Sequence, residues 1–309
     1  MKPNLFFSVI IPTYNRAEFL LLAIKSVLSQ KYTSFEIIVV DDGSTDETEA
    51  VIASVKDSRI QYLKIKNSER GAARNTGVRH AKGDYVTFLD SDDILYPNYL
   101  SNTLEGLAKY NYPVFFHQAY EVRYYFYEQE SYIHKFNSET TKFLVKGNPL
   151  SCLGIFIRRE EALLFPFNED RNLSGSEDWE LWIRLAANFG LKCDSRISAG
   201  LVLHNERSVH VVDEEKLVIR KKLALEYSFK DQMVQKHFGK YLNRMNAYAD
   251  TYNSLHLVLA GKSKRAIVHL LIASKTYPGC LFERRVLAIF KYLLLDLFKM
   301  NKETIASGS

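Results

Sequence analysis

The chain has 309 residues, of which 47% are hydrophobic and 25% are charged, so it is long enough to bury a large core and to form two domains. No apolar run reaches the roughly 20 residues of a membrane-spanning helix, so we expect no membrane span. The three cysteines are scattered, which argues against a disulfide scaffold and fits a reducing cytoplasm.

The first part of the chain alternates short strands with helices. Continuous apolar runs predict strands that are buried on both faces, and these runs cover residues 6–11, 35–40 and 60–65. The first run reads as a strand rather than a signal peptide, because Pro12 ends it and no cleavage site follows. Helices are expected over 19–28 and 71–80, before a strand that begins at Tyr85. The alternation predicts an α/β fold, with a mostly parallel sheet flanked by helices.

Two turns have the spacing of a helix-capping box, in which a polar residue is followed three positions later by an acid. Asn15 with Glu18, and Ser44 with Glu47, have this spacing. Each pair therefore predicts the start of a helix.

The remainder of the chain divides into a mixed segment and a helical segment. In the mixed segment we expect an amphipathic helix over 177–189 and strands over 112–127, 151–157 and 197–204. From Glu214 onward helical periodicity prevails, in stretches that cover residues 224–241, 248–260, 264–277 and 282–299. We expect a first domain over 1–213, a helical domain over 214–301 and a disordered tail over 302–309.

The net charge of +5 is unevenly distributed along the chain. The 17 basic and 6 acidic residues from Lys216 onward give that part +11, whereas the first 215 residues carry −6. A basic helical region fits contact with anionic lipid or another polyanion. Solvated lysine faces on ordinary helices explain the same excess, so both interpretations stay open.

Polar residues follow four of the predicted strand ends or helix starts, and they cover residues 13–15, 41–42, 70–75 and 90–93. The carboxyl ends of parallel strands share one edge of a sheet, where α/β proteins bind ligands. Clustered acids such as Asp90 and Asp92 repel each other unless a cation or hydrogen-bond donors hold them. A hard divalent ion prefers oxygen ligands and often bridges carboxylates to phosphates. Taken alone, an Asp-rich solvated turn is the simpler explanation, but the four sites together predict a metal–diphosphate site.

Five motifs in order resemble the family 2 glycosyltransferases of the GT-A fold, of the bacterial surface-polysaccharide type. They are VIIPTYN over 9–15, IVVDDGSTD over 38–46, RGAARNTG over 70–77, FLDSDD over 88–93 and EDWELWIRL over 177–185. The resemblance runs on to His204 and covers about two-thirds of the chain. It implies a Rossmann-like catalytic domain, a nucleotide-sugar donor that is commonly a UDP-sugar, Mn²⁺ or Mg²⁺, and inversion at the anomeric carbon.

The resemblance also implies roles for the residues at the strand ends. Thr13 and Tyr14 would flank the base, and Asp42 would bind its ring NH, with Asp41 a weaker match. Arg74 would approach the base or the diphosphate.

In the FLDSDD motif, the resemblance puts Asp90 near the ribose or the metal and makes Asp92 a direct metal ligand. Ser91 occupies the variable middle position, and Asp93 is expected to begin a helix. His204 would complete the metal shell, although a lone histidine is more often a surface residue.

Asp178, at the start of the 177–189 helix, stands where the family has its general base, with Glu177 as the alternative. An acid there also stabilises a helix dipole. A carboxylate base would activate the acceptor hydroxyl, while a metal would neutralise the charge on the departing diphosphate. We expect one of Trp179 and Trp182 to stack on a sugar face or to line the acceptor site, and Trp182 to be the one that packs in the core.

The expected acceptor is a hydroxyl of a glycan or lipid-linked oligosaccharide in surface polysaccharide synthesis, and no nucleic-acid partner is expected. The Gln-x-x-Arg-Trp pattern of processive synthases is absent, so a single hexosyl or N-acetylhexosaminyl addition is favoured. We expect a cytoplasmic protein in peripheral contact with the inner face of the membrane.

Other functional classes fit the sequence less well, among them a sugar-1-phosphate nucleotidyltransferase, which would need a glycine-rich loop with a basic residue near the first strand. A nicotinamide dehydrogenase would need Gly-x-Gly-x-x-Gly after the first strand, where this chain has Pro-Thr-Tyr-Asn. A non-catalytic transferase-like scaffold that acts through its helical region is the alternative function, and the intact acids at 42, 90, 92 and 178 argue against it.

Overall fold

The structure is a computed structural model and describes residues 4–124, 132–134, 141–204 and 214–307. The chain divides into two compact units, the first formed by Met1–Thr141 with Asn148–Val211 and the second by Lys142–Gly147 with Val212–Ser309. The short segment 142–147 therefore belongs to the helical unit, although the sequence analysis includes it in the first domain.

The first unit contains eleven described strands. They are β1 Phe7–Thr13, β2 Phe35–Asp41, β3 Ile60–Lys64, β4 Tyr85–Phe88, β5 Ile94–Leu95, β6 Phe115–Gln118, β7 Tyr120–Tyr124, β8 Tyr132–His134, β9 Ile155–Arg158, β10 Lys192–Asp194 and β11 Ala199–Leu203. The predicted strand over 112–127 is divided between β6 and β7, and its last residues, 125–127, lie outside the described residues.

Seven of these strands form the main sheet, in the order β10-β6-β9-β4-β1-β2-β3. Strands β1, β2, β3 and β4 are parallel to one another, and β9 runs antiparallel between β4 and β6. Both β1 and β2 are buried along their whole length, as expected for strands covered on both faces. The predicted mostly parallel α/β sheet is confirmed, and it puts the carboxyl ends of β1, β2 and β4 at one edge.

A smaller sheet has the order β5-β11-β7-β8. Strand β11 pairs antiparallel with β5 and parallel with β7. Because β5 follows directly after the FLDSDD segment, this sheet brings the end of β11 close to those acids.

The helices of the first unit are α1 Ala17–Leu28, α2 Thr48–Ser54, α3 Glu69–His80, α4 Tyr99–Lys109, α5 Arg159–Leu164 and α6 Glu177–Phe189. Helix α6 has the predicted bounds, because its buried positions recur at helical spacing and Gly190, at φ 69°, ends it.

Helix α3 lies against β1 through small residues. A Cβ atom added at Gly77 would approach Ile10 Cγ2 to 2.3 Å, so only glycine fits this contact. Every residue from Gly71 to Val78 is buried. The RGAARNTG motif is therefore a packing motif as well as a source of polar side chains.

The second unit is helical in its described residues. Its helices are α7 Glu214–Ser228, α8 Gln232–Phe238, α9 Leu242–Leu259, α10 Ser263–Thr276 and α11 Arg284–Ser307. The predicted helix over 224–241 is two helices, because Asp231 begins α8 by accepting from the amides of Met233 and Val234. Helix α11 continues to Ser307, so the tail expected over 302–309 is helical through residue 307. Glu303 and Ala306 are residues that favour a helix. Residues 308–309 lie outside the described part of the chain.

All three cysteines are buried and free. Burial raises the pKa of Cys193 to about 12, with the charge of Asp194 adding to the effect. Burial likewise raises the pKa of Cys280. These thiols are core residues, as the sequence suggested.

Candidate functional site

One edge of the candidate site is formed by the ends of β1 and β2. Thr13 is buried at the last position of β1, and Tyr14 follows with 48% of its surface exposed. The amide of Asp42 donates to the carbonyl of Thr13 at 2.9 Å, so these two predicted base-binding residues are adjacent. An exposed aromatic ring beside a buried carboxylate suits a planar heterocycle with a ring NH.

The Asp42 carboxylate is held by the loop that precedes α3. Its Oδ1 accepts from the amide of Ser68 at 2.6 Å, and its Oδ2 accepts from Asn67 Nδ2 at 3.3 Å. Burial raises the pKa of Asp42, and the amides of Ser68 and Glu69 oppose that rise. The carboxylate is therefore oriented before any ligand arrives.

Asp41 has a structural role. Its two oxygens accept from the Ser44 amide at 2.7 Å and from the Tyr62 hydroxyl at 2.7 Å. These bonds close the turn after β2 and leave the ligand edge to Asp42.

The two predicted capping boxes are wrong. Asn15 lies before α1 with φ 49°, and its Oδ1 accepts from the Thr45 amide at 2.8 Å, while its own amide donates to Ser44 Oγ at 2.9 Å. These side chains therefore join the β1–α1 loop to the β2–α2 loop instead of capping helices. Sequence spacing alone does not distinguish a cap from a bond between two loops.

Arg74 lies at the centre of the site and is only 2% exposed. Its Nη2 donates to Asp90 Oδ1 at 2.8 Å, and its Nη1 donates to Glu177 Oε1 at 3.0 Å. The guanidinium also lies 5.3 Å from the ring centre of Phe167. One buried cation therefore joins the FLDSDD segment to the start of α6.

Glu177 is ionised in this arrangement. Burial by itself raises the pKa of Glu177, but the charges of Arg70 and Arg74 outweigh it, so the pKa lies below its ordinary value. Its Oε2 also accepts from the amides of Gly175 and Ser176 at 2.7 and 3.0 Å. With both oxygens engaged, Glu177 supports the structure, and it is less suited to proton transfer than its neighbour Asp178.

The two predicted metal ligands, Asp92 and His204, lie next to each other. His204 Nε2 lies 3.0 Å from Asp92 Oδ2, and the imidazole stacks on Phe19 with 4.4 Å between ring centres. Asp93 does not begin a helix: its Oδ1 accepts from the amide of Val202 at 2.9 Å, which fixes the end of β11 against the FLDSDD segment. Ser91 is buried between the acids.

The Asp92 and His204 pair fits a hard divalent ion that takes its other ligands from a diphosphate and water. Ligand bonds of about 2.1 Å at right angles put two ligand atoms about 3 Å apart, which matches the pair. Within the described ranges, no group of three or more His, Cys, Asp or Glu side chains is arranged to hold a metal alone. A Mg²⁺ or Mn²⁺ site of this kind depends on the substrate's oxygens.

Asp178 occupies the first turn of α6 and is partly exposed. Its Oδ2 accepts from Asn148 Nδ2 at 2.8 Å, and its Oδ1 accepts from the Trp179 amide at 2.7 Å. The amide of Asn148 thus fixes the direction of the carboxylate. The sequence held no signal for Asn148, which lies in a loop without a motif.

The charged groups of the site surround one buried thiol, that of Cys152. Burial raises the pKa of Cys152 well above its ordinary value; the charge of Arg74 opposes this rise, and those of Asp90, Asp178 and Glu177 add to it. Four charged side chains from α3, the FLDSDD segment and α6 therefore act on the same point.

Trp179 and Trp182 are both fully buried, so the expectation that one stacks on a sugar is wrong. Trp182 stacks on Phe115, with 5.6 Å between ring centres. Through Phe115 of β6, the Trp182 indole packs α6 against the sheet. Their position beside Asp178 in the sequence suggested a sugar contact, but the helix turns both rings into the core.

Comparison with known proteins places these features in context. Residues 8–164, half of the chain, match the family model described as Glycosyl transferase family 2. An uncharacterised glycosyltransferase of Rickettsia conorii is 37% identical over 184 residues, which are 58% of this chain and 30% of that protein. The Escherichia coli protein WfgD, named a UDP-Glc:alpha-D-GlcNAc-diphosphoundecaprenol beta-1,3-glucosyltransferase, is 32% identical over 211 residues, covering 64% of this chain and 80% of its own. The chain thus spans less than a third of the Rickettsia relative and most of WfgD.

Solved structures give the same fold. Residues 1–349 of TarS from S. aureus, in complex with UDP-GlcNAc, superpose with a TM-score of 0.59 at 17% identity, covering 89% of this chain and 92% of that one. The mannosyltransferase PcManGT of Pyrobaculum calidifontis, with GDP-Man and Mn²⁺, gives a TM-score of 0.59 at 20% identity, with 96% and 86% covered. At these identities the likeness shows the fold alone.

Proposed function

We propose that this chain, which belongs to glycosyl transferase family 2 and has the GT-A fold, transfers one sugar from a UDP-sugar to a hydroxyl of a lipid-linked glycan. The transfer would invert the anomeric configuration and would require Mn²⁺ or Mg²⁺. The observation that carries this proposal is the double ion pair of Arg74 with Asp90 and Glu177. It fixes the donor-side acids and the start of α6, where Asp178 lies, in one arrangement.

The choice of a uridine donor rests on the edge formed by Thr13, Tyr14 and Asp42. Asp42 accepts hydrogen bonds and is held in place by Ser68, so it suits the ring NH of a uracil. WfgD is named for UDP-Glc, and TarS holds UDP-GlcNAc. PcManGT holds GDP-Man, so a guanosine donor is the alternative that a donor screen must include.

Asp92 and His204 would hold the divalent ion. When bound, the ion neutralises the charge that grows on the leaving diphosphate. Arg74 would hold Asp90 in a fixed position on the donor side, because its buried guanidinium donates to that carboxylate. The acids of this edge would therefore be oriented before the donor binds.

Asp178 would remove the acceptor's proton. Asn148 Nδ2 and the Trp179 amide orient its carboxylate, which would accept the proton from the attacking hydroxyl. The oxygen of that hydroxyl forms the new bond to the anomeric carbon while the bond to the diphosphate oxygen breaks. A single displacement of this kind inverts the anomeric configuration.

The proposed acceptor is a sugar on a diphospholipid, at the inner face of the cell membrane. WfgD acts, by its name, on such an acceptor. In the described part of the chain no helix is both long and apolar enough to cross a membrane.

A donor and acceptor screen tests the proposal. The full chain is incubated with UDP-glucose, UDP-GlcNAc, UDP-galactose or GDP-mannose and a short-chain GlcNAc-diphospholipid, with Mn²⁺, with Mg²⁺ or with a chelator. We expect metal-dependent UDP release that requires the acceptor, and a product whose anomeric configuration, read by NMR, is opposite to that of the donor. Retained configuration, or equal turnover with the chelator, would overturn the mechanism.

A further inference from the structure

The two last helices of the second unit expose an unusual amount of apolar surface. Helix α10 buries Ala266, Leu270 and Ala273 on one side. On its opposite side Val268 and Leu271 are exposed, with Ile267 and Ile272 beside them. A surface helix normally turns its polar residues outward, so α10 has two apolar sides.

Helix α11 has the same property. Val286 and Ile289 are buried against Leu270 of α10. Next to this buried stripe, four exposed apolar residues recur at helical spacing: Leu287, Phe290, Leu294 and Leu297. A continuous stripe of this length on a monomeric surface marks an interaction site.

The turn between the two helices adds the most exposed large apolar side chain of the described part of the chain. Phe282 is 91% exposed, and Leu281 beside it is also exposed. Together, the exposed apolar residues of α10 (267–272), of the turn (281–282) and of α11 (287–297) are termed here the hairpin face.

Basic residues accompany the hairpin face. Residues 262–297 contain seven Lys or Arg and two acids. Both acids are engaged, since Glu283 accepts from Arg244 at 3.0 Å and Asp296 accepts from Ser263 Oγ at 2.5 Å. Lys264 and Lys275 lie near the two ends of α10 on its exposed side.

This combination selects one kind of partner. We propose that the hairpin face docks on an anionic lipid bilayer, with Phe282 and its apolar neighbours inserted among the acyl chains and the basic residues at the phosphate level. A second copy of the chain fits less well, because a symmetric dimer would set two equally basic faces against each other. The inference rests on the proposed function in one respect, since a bilayer would present the lipid-linked acceptor.

Vesicle flotation of the full chain without donor or acceptor tests the docking directly. We expect binding to phosphatidylcholine vesicles that contain about 30% phosphatidylglycerol, weaker binding to pure phosphatidylcholine, and a loss of binding at high salt. Equal or negligible binding to the two kinds of vesicle would overturn the inference.

Two variants locate the surface. Phe282→Ser should weaken vesicle affinity about tenfold, because an inserted aromatic ring is lost. The matched control is Leu164→Ser, which removes a 75% exposed leucine from α5 in the other unit and should change nothing. Lys264→Gln with Arg265→Gln should weaken affinity about thirtyfold, since each basic residue contributes about 1 kcal/mol. Lys236→Gln with Lys240→Gln, on and just after α8, is the matched charge control.

The outcomes separate the docking from the chemistry. All variants should retain wild-type circular dichroism and wild-type transfer to a water-soluble acceptor. Normal transfer without vesicle binding by the wild type would refute the docking and leave the proposed function intact. Vesicle binding without any sugar transfer would support the docking and refute the proposed function. If Phe282→Ser instead converted a dimer to a monomer in sedimentation, with vesicle binding unchanged, the face would be a protein interface.

Discussion

Asp92 is the residue on which the proposed metal site depends. Its carboxylate meets His204 at 3.0 Å, and the rest of the shell must come from substrate oxygens. Asp92→Asn should therefore abolish metal-dependent binding of UDP while the fold is retained. Isothermal titration of UDP with and without Mn²⁺ measures this.

The control for Asp92→Asn is Asp84→Asn. Asp84 precedes the amino end of β4, where it accepts from the Phe6 amide at 2.7 Å, whereas Asp92 follows the carboxyl end. This variant should bind UDP and Mn²⁺ normally. Near-normal metal-dependent binding by Asp92→Asn would contradict the metal assignment.

Asp178 should affect turnover and leave donor binding unchanged. Asp178→Asn keeps the acceptor for the Trp179 amide but cannot take a proton, so we expect transfer to fall by ~10²–10⁴ with unchanged UDP affinity. Single-turnover kinetics and UDP titration measure the two quantities. A parallel loss of UDP affinity and activity would show that Asp178 is structural.

At this scale the sequence predicted that the polar motifs meet at one edge of the sheet, because each follows a strand; their roles in donor binding stay predictions. It did not predict how they are held. The burial of Arg74, the bond of Asn148 to Asp178 and the inward direction of Trp179 each depend on partners that are 30 or more positions away or on a whole helix face. The spacing of residues in the sequence predicts neither such distant partners nor the direction of a helix face.

Helix α3 is seated on β1 by Gly77. Gly77→Ala would put a methyl group 2.3 Å from Ile10 Cγ2, so we expect a loss of about 1–3 kcal/mol in the free energy of unfolding. Glu160→Gln, at an exposed position of α5 in the same unit, is the control. Chemical denaturation followed by tryptophan fluorescence reports on the first unit, which contains both tryptophans. Equal stability of the two variants would contradict the close contact.

Helices α3 and α6 are joined by the ion pair of Arg74 with Glu177. Because the folded-state pKa of Glu177 is lowered from 4.5, its contribution to stability is present at neutral pH and is lost as the pH falls through that lower value. Glu177→Gln should cost on the order of 3–5 kcal/mol at neutral pH. The difference from wild type should shrink on acidification below about pH 4.5.

Urea unfolding at a series of pH values measures this dependence. Glu160→Gln, at an exposed position of α5, is the control and should equal wild type throughout. If the difference in unfolding free energy between Glu177→Gln and wild type stays constant with pH, the loss of stability comes from the shape of the glutamine amide and not from the missing charge.

Element bounds were predictable where buried positions recur without interruption, as in α6. They were not predictable where one side chain ends a periodic stretch. Asp231 divides the expected helix over 224–241 by capping α8, and the apolar pattern continues across the break. The same pattern also did not reveal that α11 has two apolar stripes of which only one is buried.

On the scale of the whole molecule, the two units should respond differently to the donor. UDP with Mn²⁺ at about 100 times its dissociation constant stabilises the state that binds it by ~2.7 kcal/mol. Amides of the first unit that exchange through its global opening should slow by about a hundredfold, whereas those of α9 and α10 should not change. Hydrogen exchange with mass spectrometry checks this, and equal slowing in both units would contradict a donor site confined to the first.

The buried cysteines make each unit report on its own opening. Cys152 and Cys193 lie in the first unit, and Cys280 lies in a small core of the second with Ala247 and Ala273. A thiol with a raised pKa, out of contact with water, resists alkylating reagents until the surrounding structure opens. Inactivation by such a reagent would therefore measure how often the first unit unfolds. The rate at which Cys280 is alkylated would measure the opening of the helical unit separately, in the same intact chain.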